Sequence, residues 1–500
     1  MSTDFLHGVE VVEIDDGARP ISTVRSSVIG LLGTAPDAED AVAASALTGA
    51  VDSDNALVWA AASAGAAGND IAIYLRDPGA ATQALAVSVS GTTVTVSLET
   101  DGTGAVASTG AEVIAAVAAS AAASALLAVD DYSTSDGTGV VAASAKHLAL
   151  SGGLDAALPL NTPVLVTKRT EAARFGSDGT LYDALDAIWD QGGAWVVVVR
   201  VAEGVDDAAT LSNLIGDGTL GTGVHALVGA ESVVHVVPRI LIAPGFTDEV
   251  SLVSEMIGIA ERLRAVIVAD GPNTTDAAAI TYRGNFGSDR VYLVDPAVTY
   301  WDTRRHQNAT QPASGRVAGI IAKSDNERGF WWSPSNREMT GISGTARAVD
   351  FELGDSSSRA NYLNEHEVAT IIRKDGYRLW GNRSCSADPK WAFLSVRRTA
   401  DMIHESLLRS HLWAVDRSIT RTYVEDVVES VNAYLAHLVA IGAVIGGTCW
   451  ADEELNTPDQ IAQGKIYFDF DFTPPYPAEH ITFRSHLVND YLTEILPAAA

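Results

Sequence analysis

The sequence predicts a multidomain chain of the α/β and α+β classes, with a central three-layer α/β domain, a C-terminal α+β domain and an inserted Ala-rich α+β module. Three observations predict it. Between about residues 194 and 296, short apolar runs rich in β-branched residues alternate with helical patterns, the signature of a mainly parallel sheet covered on both faces. Residues 40–153 shift to Ala, Ser, Gly and Thr. Near the C-terminus, Ile466–Phe472 alternates strictly between apolar and polar residues, as a half-buried strand does.

The chain has 500 residues, more than one hydrophobic core usually supports. Five segments follow: an N-terminal arm and first strand (1–36), the acidic module (40–155), the central domain (156–365), the C-terminal domain (366–486) and a C-terminal arm (487–500).

In the first segment Val9, Val11 and Ile14 alternate loosely before Asp16-Gly17, and Val28, Ile29 and Leu31 resume past Pro20. This reads as an extended arm and then a strand, whose backbone amides must pair within its own sheet or with another chain. In the module, Asp70–Arg76, Ala84–Ser90 and Thr92–Leu98 are strand patterns with a tight turn at Ser90-Gly91, and Ala111–Val129 is a helix pattern. The central domain's apolar runs are Ala194–Val201, Arg239–Pro244, Ala265–Asp270 and Arg290–Pro296, with helices over Leu181–Gln191, Asp248–Arg264 and Thr275–Asn285.

The C-terminal domain carries two helical patterns, Ser395–Val415 and Tyr423–Val444. The strand after them sets Ile466, Phe468, Phe470 and Phe472 on one face, and His480–Leu487, with Ile481 and Phe483, alternates as its expected antiparallel partner. Two strands alone are marginal. With Tyr491, Leu492 and Ile495 on a last amphipathic stretch, the pair and the two chain ends invite completion by other copies.

Formal charge is −30, which disfavours nucleic acid as a partner. Residues 1–160 hold 19 acidic and 4 basic side chains, whereas 371–421 hold 10 basic and 5 acidic. Within the basic stretch, Arg397 with Asp401 and Glu405 with Arg409 have the spacing of pairs along one helix. Arg398, Arg417 and Arg421 are less obviously neutralised and are the better candidates for a partner's carboxylates. The acidic start lacks a secretion signal's basic residues and apolar core, so the chain is expected to stay in the cytoplasm where it is made. No apolar run is long enough to span a bilayer.

Chemistry is hard to find. No GxGxxG, GxxxxGK[ST] or GxSxG pattern occurs, and His404 and His411 are seven residues apart, not the four that suit one zinc. Cys385 and Cys449 stand alone, as reduced thiols or, less readily, as an intersubunit disulfide. The aromatic run Phe330-Trp331-Trp332 suits packing better than a ligand platform. No catalytic, metal or cofactor site is expected; a serine hydrolase on the α/β domain is the alternative from another class.

Several of these segments together resemble the tail sheath proteins of contractile phage tails. They are His7-Gly-Val-Glu-Val-Val, Val28-Ile-Gly-Leu-Leu-Gly-Thr-Ala-Pro36, Leu160-Asn-Thr-Pro-Val-Leu-Val166, Gly179-Thr-Leu-Tyr-Asp-Ala-Leu-Asp186 and Gln191-Gly-Gly-Ala-Trp195 with the apolar run that follows. Further on come Arg239-Ile-Leu-Ile-Ala-Pro-Gly245, Leu379-Trp-Gly-Asn-Arg383, Arg397-Arg398 and Gly464-Lys-Ile-Tyr-Phe-Asp469. The resemblance covers roughly 5–36 and 160–496 and leaves the 40–155 module outside. It implies a structural subunit of a virion tail, assembled in the host bacterial cytoplasm as stacked rings around an inner tail tube, with baseplate and tail terminator proteins as further partners. The tail contracts to drive the tube through the host envelope, and a bacterial injection particle or tailocin would use the same subunit. It also implies arms that add strands to a neighbour's small sheet. Ile466–Phe472 and Ile481–Leu487 would be hosts, and Val9–Ile14 and Tyr491–Leu496 guests. Arg397, Arg398, Arg417 and Arg421 would face the tube, with the acidic module outward.

Overall fold

The computed structural model describes residues 20–38, 40–156 and 158–495. Its largest element is a nine-stranded sheet in the order Arg337–Glu338, Tyr377–Trp380, Val368–Arg373, Val291–Val294, Val266–Asp270, Ile240–Ile242, Val28–Thr34, Trp195–Val201 and Pro163–Val166. The six strands from Val368–Arg373 to Trp195–Val201 are parallel, and antiparallel strands close both sides. Strands apolar at every position have no wet face, so the sheet is packed on both. One face meets helices Leu181–Gln191 and Ser314–Arg328, and the other meets Val250–Leu263 and Asp276–Arg283. The strand at the start of the chain is central: Val28–Thr34 lies between Trp195–Val201 and Ile240–Ile242.

Helix Ser314–Arg328 escaped the sequence reading for a physical reason. It is buried on nearly every side, so Ser, Gly and Ala replace an amphipathic stripe. Its Gly319 permits close approach to Leu181–Gln191, since a β-carbon there would lie 2.8 Å from the Ile188 carbonyl oxygen. Ser314 also pins the helix to the sheet. Its backbone N–H donates to Asp270 at 2.8 Å, its hydroxyl donates to the same carboxylate, and the Thr247 hydroxyl lies 3.2 Å from it.

The segment expected as an insertion is a packet of its own. A three-stranded sheet (Ser45–Thr48, Leu57–Ala61, Leu127–Asp131) and a four-stranded one (Ala86–Ser90, Thr93–Ser97, Ala72–Arg76, Leu148–Ala149) share a core around Trp59, Ile73, Val94 and Val113. The hairpin turn is at Gly91, with φ 58°, as the spacing predicted. The helix is shorter than expected. Gly110–Ala119 starts on a Thr109–Glu112 capping box and stops at Ser120, which caps a four-residue turn, and Leu127–Asp131 is a strand. The packet leaves and rejoins the body at one point, where Val42 and Leu154 exchange backbone hydrogen bonds of 2.8 and 3.0 Å.

The junction between central and C-terminal domains also moves. Val368–Arg373 and Tyr377–Trp380 belong to the main sheet, so a boundary at 365/366 would cut it; the chain leaves the sheet only after Trp380.

Two outcomes follow. Replacing residues 42–154 by a short Gly-Ser linker leaves the body folded, because the paired ends are already adjacent; loss of a cooperative melt would show that the packet carries part of the core. Burial lifts the Asp270 carboxyl from 3.8 to about 6, against the pull of its Ser314 and Thr247 hydrogen bonds. A raised carboxyl pKa gives stability that is full below 3.8 and is lost as pH rises through 6, a fall of about 3 kcal/mol. Urea titrations between pH 4 and 6.5 should show that slope, and Asp270→Asn should flatten it.

Candidate assembly site

Helix Leu394–Ser410 carries the arginine-rich stripe, and the structure turns most of that stripe inward. The helix crosses the amino ends of the parallel strands. Arg398 is 3% exposed; it pairs with Asp325, one bond being 2.7 Å, and donates to the Ser26 carbonyl just before Val28–Thr34. Asp401 receives Arg290, at the start of Val291–Val294, at 2.9 and 3.2 Å. Glu405 takes Arg239, at the start of Ile240–Ile242, at 2.8 Å and Arg264 at 3.3 Å. Arg397 bridges Asp289 and Asp401. Burial alone would lift the Glu405 carboxyl, but hydrogen bonds from Arg409 and Arg239 hold it below the ordinary value.

Arg397 and Arg398 therefore do not project to a partner. A buried guanidinium needs a carboxylate of its own, and these two find theirs in the body. The pairs expected along the helix, Arg397–Asp401 and Glu405–Arg409, are formed at 3.0 and 2.8 Å. Arg417 and Arg421 stay outside: Arg417 lies over the Trp413 ring and Arg421 pairs with Glu425 on the surface. Between them and the helix, Leu412 and Val415 are exposed.

On this helix and its neighbour Arg421–Ala440 rests a two-stranded sheet, Gly446–Ala451 antiparallel to Phe468–Thr473. Phe468, Phe470 and Phe472 pack against Val431, Leu435, Leu407 and Cys449, as the alternation predicted, with Ile466 partly buried just before the strand. The His404 ring stands edge-on to both the Phe470 and Phe472 rings, at 5.9 and 6.3 Å, and burial, with Arg397 beside it, lowers its pKa. His404 is thus a packing residue.

The partner strand is not the expected one. Gly446–Ala451 fills that place and was invisible to patterning because it opens on two glycines. Gly447 is required there, since a β-carbon would lie 2.6 Å from the Asp471 carbonyl oxygen. Its far edge is sealed at Cys449, whose N–H donates to the Asn432 side chain at 2.8 Å and whose carbonyl accepts from it at 2.9 Å. Tyr467 accepts from Asp452 across the ladder. By the two-residue period Phe468, Phe470 and Phe472 therefore aim their backbone groups away from Gly446–Ala451. Among the described residues no other strand pairs with that edge.

Residues 474–489 form no strand. Three prolines, Pro474, Pro475 and Pro477, carry the chain off the sheet. Glu479 is then gripped by Arg383 at 2.8–3.1 Å, and Tyr476 meets Phe393 edge-on at 6.0 Å. Beyond that anchor Ile481, Phe483 and Leu487 are 68%, 93% and 100% exposed. Ile481 and Phe483 are thus not a second host strand of their own chain. Tyr491 and Leu492, also exposed, fall with Ile495 in a single 3-10 turn, Asp490–Ile495, instead of an extended segment. Val9, Val11 and Ile14 lie outside the described residues.

Both cysteines are buried free thiols, and burial pushes Cys385 up to about 12 and Cys449 up to about 11. Phe330 and Trp331 pack beside Met402 and Ile403, while half-exposed Trp332 lines an open groove of about 1330 Å³ under residues 475–481. Among the described residues no carboxylate, histidine and cysteine cluster could hold a metal ion, and no helix is long and apolar enough to cross a membrane.

The small sheet thus carries an unpaired edge on Phe468–Thr473, and the chain after it carries exposed apolar side chains. Comparison with known proteins identifies the family. Residues 221–385 match the phage tail sheath protein central domain, 386–487 the phage tail sheath C-terminal domain, and 138–201 the N-terminal region of domain III of tail sheath protein Gp18. A prophage major tail sheath protein of Pseudomonas aeruginosa is 45% identical over 69% of this chain and 91% of its own length. The tail sheath protein of Escherichia phage P2 is 38% identical over 68% and 88%. That of Burkholderia phage BcepMu is 30% identical over 98% of both chains, so the likeness extends through the 40–155 module and is not confined to the flanking segments. Among solved structures, the anti-feeding prophage baseplate in its contracted state superimposes with a TM-score of 0.54 at 20% identity, over 66% of this chain and 90% of that one. The sheath complex of the extracellular contractile injection system PVC, also contracted, gives 0.52 at 16% over 67% and 88%. The chain belongs to the phage tail sheath family, the structural subunits of contractile tails.

Asp325→Ala, which strands Arg398 without a counter-charge, should cost about 3–5 kcal/mol in urea unfolding. Arg421→Ala, at a solvated pair, should leave the midpoint unchanged.

Proposed function

We infer that the chain polymerises through its ends into a helical sheath around an inner tail tube, and that its role is mechanical and not catalytic. The carrying observation is the exposed apolar arm, Ile481–Val488, beside a small sheet with an unpaired edge. Strand addition satisfies edge amides and links bodies without fixing their mutual orientation. In this reading the host is the pair Gly446–Ala451 and Phe468–Thr473. The guests are Ile481–Val488 of a neighbouring copy and the N-terminal arm around Val9, Val11 and Ile14. Tyr491, Leu492 and Ile495 follow the C-terminal guest as its tail.

The joint is then the chain just beyond Glu479, since everything up to that residue is tied to the body by Arg239, Arg290, Arg398 and Arg383. Bodies can slide and rotate into a shorter, wider lattice while the added strands stay in place. Such a transition draws its energy from new contacts between bodies and needs no nucleotide. Arg417 and Arg421, with Leu412 and Val415, form the exposed basic and apolar tip that faces the tube. Five segments organise this subunit: N-terminal arm and strand, outward acidic module, α/β body, tube-facing small-sheet domain and C-terminal arm. Baseplate and terminator proteins would bound the stack, in a virion tail assembled in the bacterial cytoplasm. A bacterial injection particle would employ the same chain unchanged.

Deleting residues 481–500 tests the arm. The expected product is a folded monomer, with an unchanged melting temperature, that forms no striated tubes in negative stain. Normal tubes from the truncated chain would refute the arm model.

A further inference from the structure

The α/β body carries a second groove, of about 620 Å³, between helix Leu181–Gln191 and the hairpin of strands Val298–Asp302 and Gln307–Gln311. That size is usual for small-ligand clefts. Two tyrosines on its wall are already covered: the Arg304 guanidinium lies 3.8 Å from the Tyr182 ring centroid, and that of Arg316 lies 5.1 Å from the Tyr300 ring centroid. The third aromatic ring is not. Trp301 is 54% exposed, and no ring or cation among the described residues covers it.

Along the helix, Asp183, Asp186 and Asp190 line the opposite wall, spaced as neighbours on one helical face. Each is held by a guanidinium. Arg304 grips Asp183, Arg169 spans Asp186 and Asp190, and buried Arg316 reaches Asp190 at 3.2 Å. Asp302 fixes the hairpin tip by accepting the Arg304 and Arg305 backbone N–H groups at 2.8 and 3.0 Å and pairing with the Arg305 side chain at 2.8 Å. Four carboxylates thus meet four guanidinium groups, which leaves no surplus charge for an ion of either sign. Burial lifts the Asp183 and Asp190 carboxyls against the pull of Arg304 and Arg316. Their remaining lone pairs therefore face a drier medium, in which a hydroxyl donor is held more strongly than at an open surface.

We propose that this groove binds a neutral oligosaccharide, with the C–H face of one pyranose ring on Trp301, hydroxyls donating to Asp183, Asp186 and Asp190, and a further hydroxyl accepting from Arg169. A sugar ring answers each feature of the groove: it has an apolar face for an uncovered indole, hydroxyls that both donate and accept, and no net charge. The polar groups are already locked by their mutual pairs, so little ordering is left to oppose binding. Helix Leu181–Gln191 begins at the carboxyl ends of the parallel strands, where the Thr180 N–H donates to the Thr34 carbonyl at 2.9 Å. Open α/β sheets hold their ligands at that end. The small sheet is carried at the amino ends instead, so this site does not rest on the arm-addition reading.

The test is isothermal titration of the full-length chain with neutral oligosaccharides of glucose, mannose and galactose, and with oligogalacturonate and oligoglucosamine as anionic and cationic comparisons. At least one neutral oligosaccharide should bind saturably and more tightly than either charged one. Trp301→Ala should weaken that binding by about tenfold or more, whereas Trp301→Tyr, which restores a ring, should keep most of it. Asp186→Asn, at a partly exposed carboxylate, should weaken it as well. Melting temperatures near that of the unaltered chain would separate binding from folding. No binding across the neutral panel, tighter binding of a charged oligomer, or full affinity kept by Trp301→Ala or Asp186→Asn would overturn the site. Folded Trp301→Ala chains that build no tubes in negative stain would assign the groove to a contact between copies and equally overturn it.

Discussion

The lattice of buried arginine–carboxylate pairs along helix Leu394–Ser410 is the constraint on which the rest of the molecule depends. Arg239, Arg290 and the Arg398–Asp325 pair tie that helix to the amino ends of the main sheet. The small sheet rests on the same helix through Phe470, Phe472 and His404. Backbone groups at the ends of strands and helices need partners, and here guanidinium groups reach the Ala265 and Ser26 carbonyls just before two of the strands and the Leu263 carbonyl at the end of helix Val250–Leu263, while their carboxylate partners neutralise them. Paired charges in a dry seam add little net stability, but removing one partner is costly. Such a seam fixes geometry more than it adds energy, which suits a subunit that must carry force from one sheet to another.

Much of the architecture was legible because it depends on local pattern. The strands Trp195–Val201 and Val266–Asp270 and the helix Leu181–Gln191 lie within a residue or two of where their patterns put them. The failures share a cause: tertiary context replaced the pattern. Ser314–Arg328 is too buried to show a stripe, and Gly446–Ala451 became a strand through Asn432 and the facing phenylalanines. His480–Leu487 has a strand's alternation, but three prolines and the Arg383–Glu479 pair hold it off the sheet.

The arginine stripe is the instructive case for the site. Spacing correctly paired Arg397 with Asp401 and Glu405 with Arg409, but could not reveal Asp325, Arg239 and Arg290, which stand 73, 166 and 111 residues from their partners on that helix. Local excess of basic residues over acidic ones is therefore a poor guide to surface charge when distant carboxylates fold against it. Arg417 and Arg421 remained outside because the helix ends at Ser410 and the chain turns away through Leu412.

The backbone bridge between Val42 and Leu154 has a further consequence. What hangs beyond it is attached through a neck one residue pair wide, and none of the links that hold the small sheet passes through it. Its bulk, charge and sequence can therefore drift, be lost or be replaced by a foreign domain while the repeat distance of the polymer stays constant. The packet is thus free to diversify independently of the mechanics of the filament.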